Sequence, residues 1–289
     1  MAKIGETAAP VASRDALARA RQRAALVPDL LIEATPVVNT VITGWHGRRR
    51  RGVGENFWQF RPYVDGETMS QIDWRRSARD DHVYVRDKEW EAAHTVWLWA
   101  DPSASMLYKS KGASVSKESR ALVLTLALAE LLSRGGERIA WPGLTDPFTA
   151  RNGAERMAAR LVHATDLPSR PDLRALRRYS DAILVSDFLD SVEETKEWLD
   201  PLAQHGVRAH LIEVADPAEE AFPYTGRTEF TDPESGAKLT AGRAETLAQD
   251  YRQLYSARRQ ELSSWCRKLG WSYTVNHTDR LASEALAKV

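Results

Sequence analysis

The chain has 289 residues, of which 43% are hydrophobic and 28% are charged. This composition is ordinary for a globular protein and excludes a disordered chain, a collagen-like chain and a disulfide scaffold. The 40 basic and 40 acidic residues cancel, so no chain-wide electrostatic attraction to nucleic acid is expected. The single cysteine, Cys266, excludes an internal disulfide and a multi-cysteine zinc site.

The sequence predicts a cytoplasmic protein with no membrane span of its own and no nucleic-acid partner. The first 15 residues contain no apolar run of the length found in signal peptides. The longest apolar stretch, residues 121–132, includes Thr125 and Glu130. It is much shorter than the roughly 20 residues that a membrane-spanning helix needs.

The first 90 residues are predicted to form two small parts. Residues 1–35 read as a tail followed by a helix, with Ser13 as its N-cap and Pro28 near its end. Residues 36–90 read as a small β-rich subdomain, because short extended pieces alternate there without a helical period. One further helical turn is expected between Pro28 and the start of this subdomain.

Arginine is concentrated at the start of the β-rich subdomain. Residues 45–56 are expected to form a Gly- and Arg-rich loop. Within it, Arg48–Arg51 is the one basic patch of the sequence. Two interpretations stay open for this patch: a solvated loop, or a surface that binds an acidic partner or a phosphate.

Charged and aromatic residues alternate closely between residues 61 and 79. Such a run cannot bury its charges singly, so ion pairs between arginine and aspartate are expected. We predict that Asp73 and Arg79 are mostly buried and paired with each other or with Arg61 and Asp65. A polar cluster with a structural role is favoured over a catalytic site.

From residue 91 onward, short apolar runs alternate with helical segments of a dozen or more residues. Residues 95–100, TVWLWA, are typical of a strand buried on both faces. A strongly apolar helix follows, for which Ser116 is the predicted N-cap. This alternation predicts an α/β domain over residues 91–289 with a mostly parallel sheet. Residues 216–240 interrupt the rhythm and are expected to include a hairpin.

The sharpest chemical signal comes directly after the first of these strands, where the sequence reads Asp-Pro-Ser-Ala-Ser. In open α/β sheets, ligands bind beyond the carboxyl ends of the strands. The Asp101 carboxylate and the hydroxyls of Ser103 and Ser105 are hard oxygen ligands, suited to Mg²⁺ or Mn²⁺ and not to zinc. The equally weighted alternative is that Asp101 and Ser103 only build a turn.

A second candidate is Asp187, which follows the strand predicted at residues 182–185. If that strand neighbours the first, Asp187 lies on the same rim as Asp101, where a cation would stabilise both carboxylates. The alternative is that Asp187 caps the next helix. Phosphate-binding loops and the serine hydrolase elbow are absent from the sequence, so a non-catalytic protein is expected. The alternative function is a Mg²⁺-dependent phosphate-handling enzyme that uses Asp101 and Asp187.

Several motifs in a fixed order resemble the domain of unknown function 58 family. The match covers roughly residues 40–280, and its specificity comes from the number of separate motifs. They are RPYVDGE at 61–67, IDWR at 72–75, AR at 78–79, DPSASM at 101–106, SDF at 186–188 and DPE at 232–234.

The resemblance implies a von Willebrand factor A-like α/β domain, with a mostly parallel sheet and helices on both faces, preceded by a small N-terminal helix and a β-rich region. It also implies a metal-ion-dependent adhesion site that holds Mg²⁺ or Mn²⁺. The implied ligands are Asp101, Ser103, Ser105 and Asp187, with Thr165 or Ser169 completing the set.

Members of the family are typically encoded beside MoxR-type AAA+ ATPases. The resemblance therefore implies a partner or adaptor of such an ATPase, which acts with a client protein in the assembly or maturation of protein complexes. Many relatives carry two membrane helices at the N-terminus, and none is expected in this sequence.

Overall fold

The structure is a computed structural model and describes residues 27, 29–35, 50–64, 68–79, 81–90 and 94–283. The chain divides into two compact units, one formed by residues 46–94 and the other by residues 1–45 together with 95–289. Residues 29–35 are helical, in the place where a further turn is predicted. The helix predicted after Ser13 lies outside the described residues, except at residue 27.

The smaller unit is built on an antiparallel pair of strands, β1 (Arg50–Pro62) and β2 (Tyr84–Trp90). The predicted loop at residues 45–56 is therefore wrong from residue 50 onward. Pairing between the two strands satisfies the hydrogen-bonding groups of their main chains. Such pairing does not require an apolar sequence, so a Gly- and Arg-rich segment can form a strand. Arg48 and Arg49 lie outside the described residues, so the role of the basic patch stays a prediction.

Asp73 caps a single helical turn, α1 (Trp74–Ser77), in the same unit. Its Oδ1 atom accepts a hydrogen bond from the backbone N–H of Arg76 at 2.9 Å. Asp73 is half-buried and Arg79 is exposed, so the expectation that both are mostly buried is wrong. The physical reason is that an N-cap carboxylate satisfies free N–H groups of the helix at the surface. Asp65 lies outside the described residues.

The larger unit contains a six-stranded sheet and a separate hairpin. Its strands are β3 (Thr95–Ala100), β4 (Arg138–Trp141), β5 (Thr145–Phe148), β6 (Ser180–Ser186), β7 (Arg208–Ala215), β8 (Thr228–Thr231), β9 (Lys238–Ala241) and β10 (Ser272–His277). The order in the sheet is β10-β7-β6-β3-β4-β5, and only the β4–β5 pair is antiparallel. The predicted α/β class with a mostly parallel sheet is confirmed.

Helices connect these strands. They are α2 (Lys117–Arg134), α3 (Gly153–His163), α4 (Val192–Gln204), α5 (Pro217–Ala221) and α6 (Ala248–Lys268). A 3₁₀ turn at Ala244–Leu247 directly precedes the long helix α6. The hairpin that was expected within residues 216–240 is formed by β8 and β9.

The core lies between the central strands and the helices, and α2 is the most enclosed of the helices named above. Apolar side chains of β3 and β6, such as Leu98 and Leu184, are fully buried. Nearly every residue of α2 from its start to Ala129 is buried as well. That burial includes Lys117, the first residue of the helix, whose side chain has no exposed surface. A buried ammonium group is stable only where neighbouring groups offer negative charge or hydrogen-bond acceptors, so such groups are expected near the start of α2.

Candidate functional site

Two strand ends meet where the strand order of the sheet reverses. β3 and β6 are parallel neighbours, with Ala100 beside Val185. From β3 the chain proceeds to β4 on one side, and it returns to β6 on the other side. Ligands of open α/β sheets bind at such a point, outside the carboxyl ends of the strands. Asp101 directly follows β3 and Asp187 directly follows β6, so both stand at this crevice.

The structure brings the four predicted ligands into one hydrogen-bonded group, here called the strand-end cluster: Asp101, Ser103, Ser105 and Asp187. The Ser105 hydroxyl donates to Asp187 Oδ2 at 2.7 Å, and its oxygen lies 3.1 Å from the Ser103 hydroxyl. Asp101 Oδ1 accepts from the Ser103 N–H at 2.8 Å. Asp101 Oδ2 accepts from the Ser186 hydroxyl at 2.6 Å.

The two carboxylates of the cluster are buried close to each other. Asp101 is 8% exposed and Asp187 is 5% exposed. Burial raises the pKa of Asp101 to about 6, and the negative charge of Asp187 adds to this rise. Hydrogen bonds from Ser186 and Ser103 oppose it without cancelling it. Two buried carboxylates in this arrangement need positive charge nearby.

Lys117 provides that positive charge, and sequence reasoning missed it. Its Nζ atom lies 2.8 Å from Asp187 Oδ2 and also bonds to Glu219. Burial works against the charged lysine, but Asp187 and then Glu219 outweigh burial, and the pKa of Lys117 is raised. One signal was available in the sequence, because a lysine is unfavourable in the first turn of a helix. Its presence there indicates an acidic partner.

Glu219 is held in place by the start of α5. Asp216, which is fully buried, caps this helix by accepting from the Ala218 N–H at 2.9 Å. Glu219 Oε2 accepts from the Asp216 N–H in return, at 3.1 Å. The second oxygen of Asp216 accepts from the Ser110 N–H at 2.9 Å and so ties α5 to the segment that follows the strand-end cluster. Burial raises the pKa of Glu219, although Lys117 opposes the rise.

The β8–β9 hairpin brings another carboxylate to the rim. Glu234 lies in the turn between β8 and β9 and accepts a hydrogen bond from the Ser105 N–H at 2.8 Å. Asp232 organises this turn by accepting from the Glu234 N–H at 3.0 Å. The interruption of the α/β pattern is therefore a structural part of the site. In the sequence, residues 232–234 were recognised as part of an expected hairpin and through the family resemblance, but not as part of the site.

Thr165 or Ser169 is expected to complete the metal site, and this stays a prediction. Thr165 and Ser169 are exposed in the loop before β6. Within the described part of the chain, no hydrogen bond joins either of them to the strand-end cluster. Leu173, which follows them in the same loop, is buried in the core.

The strand-end cluster, as it is arranged, does not fit Mg²⁺ or Mn²⁺. Its donors are the hard oxygens that these ions prefer. However, the ammonium group of Lys117 already contacts Asp187 Oδ2. Metal binding by Asp101, Ser103, Ser105 and Asp187 stays a prediction.

A second buried charge network joins β7 to α6 and β10, and it was not predicted from the sequence. Glu213, in β7, is fully buried and accepts a two-pronged contact from Arg259, with Nη2–Oε1 at 2.7 Å and Nε–Oε2 at 3.0 Å. The Tyr255 hydroxyl donates to Glu213 Oε1 at 3.1 Å. The Tyr273 hydroxyl donates to Oε2. The sequence shows Glu213 only as one acid inside an apolar strand.

Arg258 connects this region to the strand-end cluster. Its Nη1 atom donates to the backbone carbonyl of Asp187 at 3.3 Å and to that of Phe188. Phe188 has a left-handed backbone with φ of 46°, which is uncommon for a residue other than glycine. Its side chain is buried, so packing and the contacts of Arg258 fix the turn that carries Asp187.

The Glu220 carboxylate at the edge of this network predicts a pH dependence of stability. The hydrogen bond with His277, at 3.0 Å, and the contact of Arg259 outweigh burial and lower the pKa of Glu220 from 4.5 to about 2. A lowered pKa gives stability that is present above about pH 4.5 and lost as the pH falls toward 2. Glu220→Gln is expected to cost about 1–2 kcal/mol near neutral pH, because the pair is partly exposed.

Urea unfolding of wild type and Glu220→Gln, at several pH values between neutral and about 3, tests this expectation. The difference in unfolding free energy between the two proteins should shrink as the pH falls below about 4.5. A difference that stays constant over this range contradicts the role of the Glu220 ion pairs.

Together, the fold and the site define an α/β protein with a buried acidic and hydroxyl cluster at the switch point of a mainly parallel sheet. The family described as protein of unknown function DUF58 matches residues 59–261. The chain belongs to this family. Uncharacterized protein Rv1480 of Mycobacterium tuberculosis and uncharacterized protein Mb1516 of Mycobacterium bovis are each 28% identical over 278 residues, covering 89% of this chain and 85% of the relative.

Solved structures show weaker similarity. BatB, a conserved hypothetical protein from Bacteroides thetaiotaomicron, is 17% identical with a TM-score of 0.32, covering 67% of this chain and 95% of that one. An aerotolerance-related membrane protein from Bacteroides fragilis is 13% identical with a TM-score of 0.31, covering 68% of this chain and 99% of that one. Likenesses at these scores support no conclusion about mechanism.

The descriptions of such structures correct one expectation. The B. fragilis protein is described as a membrane protein, and a third similar structure, from Vibrio fischeri, as a membrane-spanning protein with a TM-score of 0.19. They conflict with the expectation of a cytoplasmic protein without membrane association, and that expectation is withdrawn. It relied on local hydropathy, which reports spans within a sequence and not where a protein resides. Among the described helices, none is both long and apolar enough to cross a bilayer.

Proposed function

We propose that this protein is a non-catalytic protein-interaction module of the von Willebrand factor A-like type, with the strand-end cluster as its adhesion-type binding site. The observation that supports this most directly is the convergence of Asp101, Ser103, Ser105 and Asp187 at the switch point of the sheet. A set of buried acids and hydroxyls at this position is suited to recognition of a polar group of a partner.

The chemistry of the cluster argues for binding rather than turnover. The Ser105 hydroxyl already donates to Asp187 Oδ2, but the same oxygen also accepts from the buried ammonium group of Lys117. Lys117 is held in its charged form and cannot accept a proton from Ser105. Cys266 is buried in the core, and burial raises the pKa of its thiol to about 12, so it is not poised as a nucleophile.

The partner we propose is a MoxR-type AAA+ ATPase, for which the protein acts as an adaptor to a client during the assembly or maturation of a protein complex. The family resemblance is what suggests this ATPase. The site adds a geometric argument, because hydrogen bonds hold the segments next to the cluster: Arg258 donates to the backbone carbonyl of Asp187, and Asp216 accepts from the Ser110 N–H. A rigid site loses little conformational entropy on binding.

Binding of the purified full-length chain to the MoxR-type ATPase of the same organism tests the proposal. Ser103→Ala/Ser105→Ala removes both rim hydroxyls while it leaves the buried charges in place. We expect this variant to lose at least about tenfold in affinity, since two polar contacts of about 1 kcal/mol each are removed. The matched control is Ser256→Ala, an exposed serine on α6, for which wild-type affinity is expected.

Two results would contradict the proposal. One is equal affinity of the double variant and wild type at unchanged melting temperature, which would place the interface elsewhere. The other is hydrolysis of a phosphate ester that disappears in Asp101→Ala, which would favour the phosphate-handling enzyme.

A further inference from the structure

We propose that the ammonium group of Lys117 takes the place of a divalent cation in the strand-end cluster, so that the site is neutralised from within the chain and needs no metal. The inference deepens the proposed function, because it concerns the same site and rests on that site being the binding surface. It replaces the Mg²⁺ or Mn²⁺ implied by the resemblance with a residue that the structure places there.

The first argument is the enclosure of the lysine. A lysine with no exposed surface is costly unless its charge is matched. The Nζ atom of Lys117 contacts the carboxylates of Asp187 and Glu219. It also lies 5.8 Å from the centre of the Tyr108 ring, whose face attracts cations. The surroundings of this ammonium group are those of a fixed structural cation.

The second argument is that the carboxylate oxygens of the cluster already have donors. Asp187 Oδ2 accepts from both Lys117 and Ser105, and Asp187 Oδ1 accepts from the Leu189 N–H at 3.2 Å. The two oxygens of Asp101 accept from the Ser103 N–H and from the Ser186 hydroxyl. A metal ion bound directly to these carboxylates would have to compete with those bonds.

The third argument is repulsion between like charges. A Mg²⁺ ion bound to Asp187 Oδ2 at about 2.1 Å would lie within about 5 Å of Lys117 Nζ, because Nζ is 2.8 Å from the same oxygen. Two positive centres at that distance repel strongly in a water-poor environment. One cation, either the lysine or a metal, is therefore expected beside Asp187.

A fourth argument comes from Glu219. This residue contacts the lysine but is absent from the ligand set that the resemblance implies. Its side chain is 13% exposed and is fixed by the cap of α5. Glu219 is thus a second acidic partner of the ammonium group, as expected if the lysine is a permanent part of the site.

The experiment titrates Mg²⁺ or Mn²⁺ alone into the full-length protein after treatment with chelator, by calorimetry and by melting temperature. Wild type is expected to give no binding heat and no shift in melting temperature. Lys117→Met keeps the length of the side chain but removes its charge, and we expect it to gain metal binding. A ligand that binds only the folded state stabilises it. Adding the metal should therefore raise the melting temperature of Lys117→Met by about 2–4 °C or more above its value in chelator.

The matched control is Lys196→Met, because Lys196 also pairs with a carboxylate, Glu261, but at the surface. No gain of metal binding is expected in it. If Lys117→Met does not fold, Lys117→Met/Glu219→Gln removes one negative charge together with the lysine and serves in its place.

Two outcomes overturn the inference. One is metal binding by wild type that is lost in Asp101→Asn, which would show that the cluster holds a metal beside the lysine. The other is absence of metal binding in the folded Lys117 variants, which would show that the lysine does not occupy the place of a cation. No partner protein is present in this experiment, so its failure is separate from failure of the interaction proposed above.

Discussion

Replacing Glu213 by Leu is expected to lower the free energy of unfolding by about 3–5 kcal/mol. Glu213 is fully buried and is the shared acceptor for Arg259 and for the hydroxyls of Tyr255 and Tyr273. The substitution leaves the guanidinium without its main carboxylate and leaves the hydroxyls of the buried Tyr255 and the partly buried Tyr273 without this acceptor. Both changes carry a desolvation cost that a similar-sized apolar side chain does not offset.

Glu229→Leu is the matched control for this measurement. Glu229 is also a strand residue paired with a basic side chain, Lys238, but both partners are more than half exposed. An exposed pair of this kind contributes about 0–1 kcal/mol. Urea unfolding followed by circular dichroism compares the two variants with wild type. Similar losses in both would mean that the buried network around Glu213 adds nothing beyond a surface ion pair.

The parts of the fold that were predictable are those with a local signal. β3 and β6 read as strands because short, largely apolar runs end at a polar residue, here Asp101 and Ser186. α2 was predictable from its cap and its length, since Ser116 accepts from the Ser119 N–H. The first part of β1, residues 50–56, was missed because the stability of a two-stranded ladder depends on its partner strand and not on its own apolar content.

The candidate site was predictable only in part, for a similar reason. The spacing of Asp101, Ser103 and Ser105 is local, and the position of Asp187 follows from the pairing of two recognised strands. The contact of Lys117 with Glu219 spans 102 residues of sequence, and neither segment has a local pattern that predicts the contact. The charge of a buried site is set by such long-range contacts. A metal inferred from the local motif alone therefore leaves out the lysine that the fold supplies.

The role of Lys117 as an internal cation also predicts a large effect on stability. Lys117→Met is expected to lower the free energy of unfolding by about 3–5 kcal/mol, because Asp187 and Glu219 are left buried without their counter-charge. Lys196→Met, which breaks a partly exposed pair, is expected to cost about 0–1 kcal/mol. Denaturant unfolding of the two variants in chelator measures this difference without any contribution from bound metal.

A double-mutant cycle separates the charge of Lys117 from its packing. If the loss arises from the unmatched carboxylates, Glu219→Gln should cost less in the Lys117→Met background than in wild type. The two substitutions should then be coupled by about 1–3 kcal/mol, as expected for groups in direct contact. Strict additivity would contradict an electrostatic role, because it would mean that Lys117→Met destabilises the protein only through altered packing at the start of α2.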